Sequence, residues 1–213
     1  MSVHLSPEEI EAESFRIIDT EVGAHPWSPA EWPVVQRAIH TSADFEYARS
    51  LFFSPDAVAK AVEALRCGRG IVTDTTMALA GIGKERLARF AIRSSCFVAD
   101  PEVAREAKAQ GVTRSILAMR KGMADPANGI FVIGNAPTAL FELLRLVREE
   151  NLRPDLVVAL PVGFVGAAES KEQLVLEGEG LGIPFITNRG RKGGSNVAAA
   201  VVNALLIMAG EGV

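Results

Sequence analysis

The sequence predicts an α/β fold: one three-layer α/β/α domain over residues 1–213, with a five-stranded parallel sheet and a helical N-terminal addition. Three observations predict it. Five short apolar runs between residues 70 and 188 alternate with longer helical segments, the pattern of a parallel sheet covered on both faces. The first third of the chain reads as helix alone. Apolar residues make up 48% of the 213 residues and charged residues 23%, which supplies a sizeable core and excludes a disordered chain. No internal repeat or low-complexity linker divides the sequence.

The elements follow in order. A helix is expected over residues 7–19. Ser28-Pro29-Ala30-Glu31 then places serine, proline and glutamate in the order of a capping box, so a helix should run over 29–40. Ser54-Pro55-Asp56 repeats the start for a helix ending at Cys67, with Gly68 as its stop. The five strands are GIVTD (70–74), SCFVAD (95–100), GIFVIG (129–134), LVVALP (156–161) and PFITN (184–188). Helices are expected over 101–110, 114–121, 137–150, 168–177 and 195–209. Ligands of such sheets bind at the carboxyl ends of the strands. That rule selects Asp74-Thr75-Thr76, Gly134-Asn135-Ala136-Pro137, Pro161-Val162-Gly163 and Thr187-Asn188-Arg189-Gly190.

Composition narrows the function. Twenty-two Lys+Arg against 26 Asp+Glu give a net charge of −4, so a basic nucleic-acid footprint is not expected. Aromatic residues are 6%, with one Tyr and two Trp, too few for base-stacking platforms. Cys67 and Cys96 make no disulfide framework and show no metal-ligand spacing, and they are expected to be buried thiols in a reducing cytosol. The N-terminus is acidic and lacks the apolar core of a signal peptide. Residues 193–210 carry no charge, but their small residues, with Ser195, Asn196 and Asn203, fit a buried helix of a soluble protein better than a membrane span.

Several groups can carry chemistry, each with a plainer alternative. Arg37 and His40 share a helix face, three residues apart. His40 is either a proton donor and acceptor near neutral pH or a helix-terminal histidine favoured by the dipole. The loop Arg189-Gly190-Arg191-Lys192-Gly193-Gly194-Ser195 offers three cations, three glycines and helix N-terminal amides to an anion, or is an exposed basic turn. It lacks the order of a P-loop, and no G-x-G-x-x-G follows any strand. Asn135 is a ligand contact or a helix cap. The loop Pro161-Val162-Gly163-Phe164-Val165-Gly166 either admits a large ligand against its backbone or packs a strand onto a helix. Asp74 is an acid/base group or, more simply, the cap of a helix over 75–79. Ser14, alone on the first helix, reads as structural.

Taken together the segments ESFRII, RAIHTSADFEYA, FSPDAV, VTDTTMALAGI, GNAPTALFELL, LPVGFVGAAESKE and RGRKGGSN resemble the precorrin-8X methylmutase family, which includes the cobalt-precorrin-8 methylmutases. The resemblance spans residues 14–206, and its last three segments are the most specific. It implies a flavodoxin-like fold and an isomerase of cobalamin biosynthesis. The methyl group would move from an α carbon to the adjacent β carbon of ring C, giving hydrogenobyrinic acid or its cobalt-bearing counterpart. The resemblance implies no cofactor, a corrin-type polycarboxylate substrate, a cytoplasmic homodimer with sites near the subunit interface, and neighbouring pathway enzymes as further partners. It gives His40 the role of proton donor to the macrocycle and places Ser14, Arg37 and Arg114 at the substrate. The edge residues Asn135, Arg189, Arg191, Lys192, Gly193 and Ser195 are then expected to take its carboxylate arms. A carrier that holds the corrin without converting it would use the same basic loop and not need His40. An enzyme for a phosphorylated small molecule would use the loop as its anion site.

Overall fold

The computed structural model describes residues 6–211. In chain order the elements are α1 (Pro7–Val22), α2 (Trp32–Ser42), α3 (Tyr47–Ser50), β1 (Leu51–Phe53), α4 (Ala57–Arg66), β2 (Gly70–Thr73), α5 (Thr76–Gly81), α6 (Lys84–Arg89), β3 (Ser94–Ser95), α7 (Pro101–Gln110), α8 (Arg114–Met123), β4 (Asn128–Ile133), α9 (Pro137–Glu150), β5 (Leu156–Ala159), α10 (Ala167–Glu177), β6 (Phe185–Asn188) and α11 (Ser195–Gly210). The sheet order is β1-β6-β5-β4-β2-β3. Strands β2 to β6 are parallel, and numbered among themselves they run 2-1-3-4-5, the flavodoxin-like doubly wound order.

The sheet has six strands rather than five. The sixth, β1, lies antiparallel on β6, with Leu51 opposite Asn188 and Phe53 opposite Ile186. Three residues are too few to show a strand period, which is why the sequence hides it. The run at 95–100 yields less strand than expected. Only Ser94 and Ser95 pair, against Ile71 and Val72. Phe97 and Val98 instead pack on a small cluster of Val103, Ala107, Leu117 and Ala118 from α7 and α8. Asp100 then caps α7 by accepting from the Glu102 amide at 2.9 Å.

Cys67, expected to be buried, is exposed at the end of α4, and Cys96 is half-buried. The helix starts also need adjustment. Ser28 and Glu31 do form the reciprocal box, with Ser28 N donating to Glu31 at 3.0 Å and Glu31 N donating to Ser28 Oγ at 3.3 Å. Residues 29–31 are nevertheless a turn, and α2 begins at Trp32. Ser54 does not cap α4. Its Oγ accepts from the Phe185 amide at 2.9 Å and so ties this segment to β6.

Alternate side chains of each strand go to opposite faces, which makes the three layers. Ile71, Ile130, Val132, Leu156, Val158 and Ile186 pack under α2, α4 and α11. Val72, Phe131, Ile133, Val157, Ala159 and Phe185 pack under α8, α9 and α10. Each fully buried side chain of this kind stabilises by about 1.5–3 kcal/mol. The uncharged α11 is buried in the first layer, and no helix among the described residues is long and apolar enough to cross a membrane.

Candidate active site

The strand order reverses between β2 and β4, and the residues that follow these two strands are locked to each other. Asp74, buried just after β2, accepts from the amides of Gly134 at 2.8 Å, Asn135 at 2.9 Å and Ala136 at 2.7 Å. Burial raises its pKa above the usual carboxylate range, and the three amide donors work against that rise. The helix cap expected of Asp74 belongs to its neighbour. Thr75 Oγ1 accepts from Ala78 N at 3.1 Å, at the start of α5, and lies 2.7 Å from Ser195 Oγ at the start of α11. Gly134 completes the junction, because a Cβ there would lie 2.6 Å from the Ser195 Cα.

Asn135 stands exposed above this junction, held by its backbone. It does not cap α9, whose N-cap is Ala136. Arg114 opens α8 beside it. Thr113, the cap of that helix, donates to Thr138 Oγ1 in the first turn of α9 at 3.1 Å, so the two helix starts are joined. The Arg114 side chain is exposed at that joint.

The loop after β6 is knitted to the loop after β5. Gly194 N donates to Leu160 O at 2.9 Å and Gly163 N to Arg191 O at 3.2 Å. A Cβ on Gly193 would collide with the Leu160 carbonyl. The exposed Arg191 guanidinium sits 5.7 Å from the centre of the Phe164 ring, and Arg189 sits 5.7 Å from Phe52. Lys192 is already paired, with Asp44 at 2.6 Å and Glu46 at 2.7 Å, and these contacts raise its pKa. The carboxylates that follow His40 in the sequence are therefore committed to Lys192.

The remaining candidates lie on α1 and α2. His40, exposed in the last turn of α2, meets the Phe15 ring edge-on at 5.3 Å between centres. The Arg37 guanidinium lies 4.7 Å from the same ring and is bonded to Glu11, whose pKa it holds down. Ser14 gives its hydroxyl hydrogen to the Ile10 carbonyl at 2.7 Å, the ordinary back-bond of a helical serine. The candidates thus form two groups, one on the helices and one at the sheet edge. They are joined where Lys192 of the basic loop grips Asp44 just past the end of α2.

Sequence reading missed one residue here. Lys171 on α10 is 1% exposed, and its Nζ donates to Asn188 Oδ1 at 3.0 Å and to the Lys192 carbonyl at 2.6 Å. Burial lowers its pKa to about 8. A signal was present, since Ala167, Ser170, Lys171 and Leu174 are the buried positions of α10 and follow the spacing of one helix face.

The doubly wound order and the rigid junction where it reverses make this a flavodoxin-like α/β protein, with a candidate site at the carboxyl edge of the sheet. The family described as precorrin-8X methylmutase matches residues 9–208, and the chain belongs to that family. It is a methyl-shifting isomerase of cobalamin biosynthesis. A cobalt-precorrin-8 methylmutase of Priestia megaterium is 47% identical, covering 98% of this chain and 91% of that protein. Another, from Salmonella typhimurium, is 48% identical with 94% of each chain covered. The solved precorrin-8X methyl mutase of Thermus thermophilus superposes with a TM-score of 0.86 at 40% identity, covering 95% of this chain and 98% of that one.

Proposed function

We propose that this isomerase acts on cobalt-precorrin-8, with His40 as the proton donor and the sheet-edge cations as the seat of the substrate's carboxylates. The two relatives at 47% and 48% identity are both named for the cobalt-bearing substrate, which supports that choice over the metal-free one. In the reaction the imidazolium of His40 gives its proton to the macrocycle. A methyl group then leaves the α carbon with its bonding pair and attaches to the adjacent β carbon on the same face. Return of the proton to His40 leaves an isomer, with no electron gained or lost. Arg114, Arg189 and Arg191 stand exposed to take carboxylates, together with the exposed Asn135 and the backbone of Gly193. Ser195, expected at the substrate, is buried with its hydroxyl against Thr75 and supports the junction instead. Ser14 and Arg37 complete the seat on the helix side, Arg37 by exchanging Glu11 for a substrate carboxylate.

The observation that carries this reading is the grip of Lys192 on Asp44 and Glu46, which draws the cationic loop to the end of the helix that bears His40. The test mixes the protein anaerobically with cobalt-precorrin-8 and, separately, with precorrin-8X, and follows the absorption spectrum. Conversion of the cobalt-bearing compound is expected. His40→Ala should lower turnover by about 10²–10⁴-fold and leave product affinity unchanged. A spectrum that shifts without converting would mark a carrier, and full turnover by the His40 variant would remove it from the mechanism.

The protein acts as a homodimer in this reading. Phe164 and Val165 in the loop after β5 are 84% and 89% exposed, large apolar side chains beside the cationic rim that a second copy would cover. Sedimentation equilibrium giving a monomer at assay concentration would refute the dimer.

A further inference from the structure

We propose that Lys171 is a positioning residue that sets the shape of the substrate-binding loop from beneath, through the carbonyl of Lys192 and the side chain of Asn188. The inference rests on the reading that residues 189–193 hold the substrate's carboxylates. Lys171 is buried with no carboxylate bonded to it among the described residues, an arrangement that costs stability. A methionine there would bury a stem of similar length at lower cost. What methionine would not do is donate to the Lys192 carbonyl and to Asn188 Oδ1.

Those two bonds organise the whole loop. Asn188, buried at the end of β6, uses its Nδ2 to reach the Lys192 carbonyl at 2.9 Å and the Arg189 carbonyl at 3.3 Å. The carbonyls on both sides of the Gly190–Arg191 tip are thereby fixed by one buried amide, and Lys171 fixes that amide. Lys192 is held at both ends, its carbonyl by Lys171 and Asn188, its ammonium by Asp44 and Glu46. Among the described residues, Arg191 has no such anchor beyond its carbonyl bond to Gly163 and its contact with Phe164. Its aim therefore depends on the frame that Lys171 and Asn188 make.

The experiment is a double-substitution cycle on the full-length protein, read as kcat and KM for conversion of the corrin substrate. Lys171→Met is expected to raise KM about tenfold, the loss of roughly one charge-assisted hydrogen bond's worth of binding, with kcat nearly unchanged. Arg191→Ala should raise KM in the wild-type background and much less in the Lys171→Met background, because an arginine already out of position has little left to lose. Asn188→Ala, at the other end of the same relay, should behave as Lys171→Met does and serves if the first variant does not fold. Fully additive effects, or an unchanged KM in the Lys171 and Asn188 variants, would overturn the proposal. If Arg191→Ala is silent in the wild type, the loop does not hold the substrate, and the substrate reading falls together with this one.

Discussion

Glu11 and Lys171 show how differently two charges can be placed around one site. Glu11 is partly exposed and occupies the guanidinium that the proposed mechanism needs for substrate, so it competes with the ligand. Replacing it with glutamine removes the competing charge and keeps the size. Glu11→Gln is expected to lower KM by about two- to fivefold, the scale of one partly exposed ion pair, with kcat unchanged. A higher KM would show that Glu11 orients Arg37 rather than opposing its use. Lys171 makes a different prediction, because its folded pKa lies near 8, below that of a lysine in the unfolded chain. Between those two values the unfolded chain binds more protons than the folded one, so stability rises with pH through that window. The burial cost is fully present below pH 8. Chemical unfolding of the wild type and Lys171→Met at a series of pH values should therefore show the wild type gaining on the variant from about pH 8 to pH 10. A constant difference would mean that the folded lysine keeps the pKa of the unfolded chain, so that its burial does not disfavour the charge.

Among the elements, the helices were the most legible and the short edge strands the least. The spans of α7 and α9 were written by Asp100-Pro101 and by Pro137 at their starts, with Gly111 ending α7, and both lie where the sequence places them. By contrast β1 rests on three residues whose pairing is set by β6, more than a hundred residues away. No local pattern encodes such a contact. The site divides in the same way. Its cations and glycines could be read from the loops, because strand order and the carboxyl-edge rule place those loops together. Its internal wiring could not, since Asp74 bonds to residues about sixty positions on, and Thr75 meets Ser195 across the width of the fold. Asp74 is the test of that wiring. An asparagine has only one oxygen to offer where the carboxylate meets three amides, so at least one buried N–H is left without a partner. Asp74→Asn is expected to cost about 1–3 kcal/mol in a denaturant titration and to lower activity by displacing Asn135. A variant as stable as wild type would show that water can replace the carboxylate at this junction.

At the scale of the whole molecule, a net charge of −4 meets, under the proposed function, a polycarboxylate substrate of the same sign, so attraction has to come from the distribution of charge and not from its sum. Arg189 and Arg191 stand exposed in the loop between β6 and α11, and Arg114 stands exposed at the start of α8. Lys192 and Arg37 are neutralised within the chain by Asp44, Glu46 and Glu11. The attraction that this rim offers extends about one Debye length, roughly 30 Å at 0.01 M salt and 8 Å at 0.15 M. Raising the salt across that range should lower kcat/KM while leaving kcat, measured at saturating substrate, in place. Removing one rim cation with Arg191→Ala should flatten the dependence of log kcat/KM on log salt, because fewer charges then guide the encounter. A salt dependence unchanged by that substitution would mean that the acidic remainder of the surface, and not the rim, governs how the substrate arrives. The fold makes the first outcome the expected one, since the parallel sheet brings the loops that carry Asn135, Arg189 and Arg191 to a single edge.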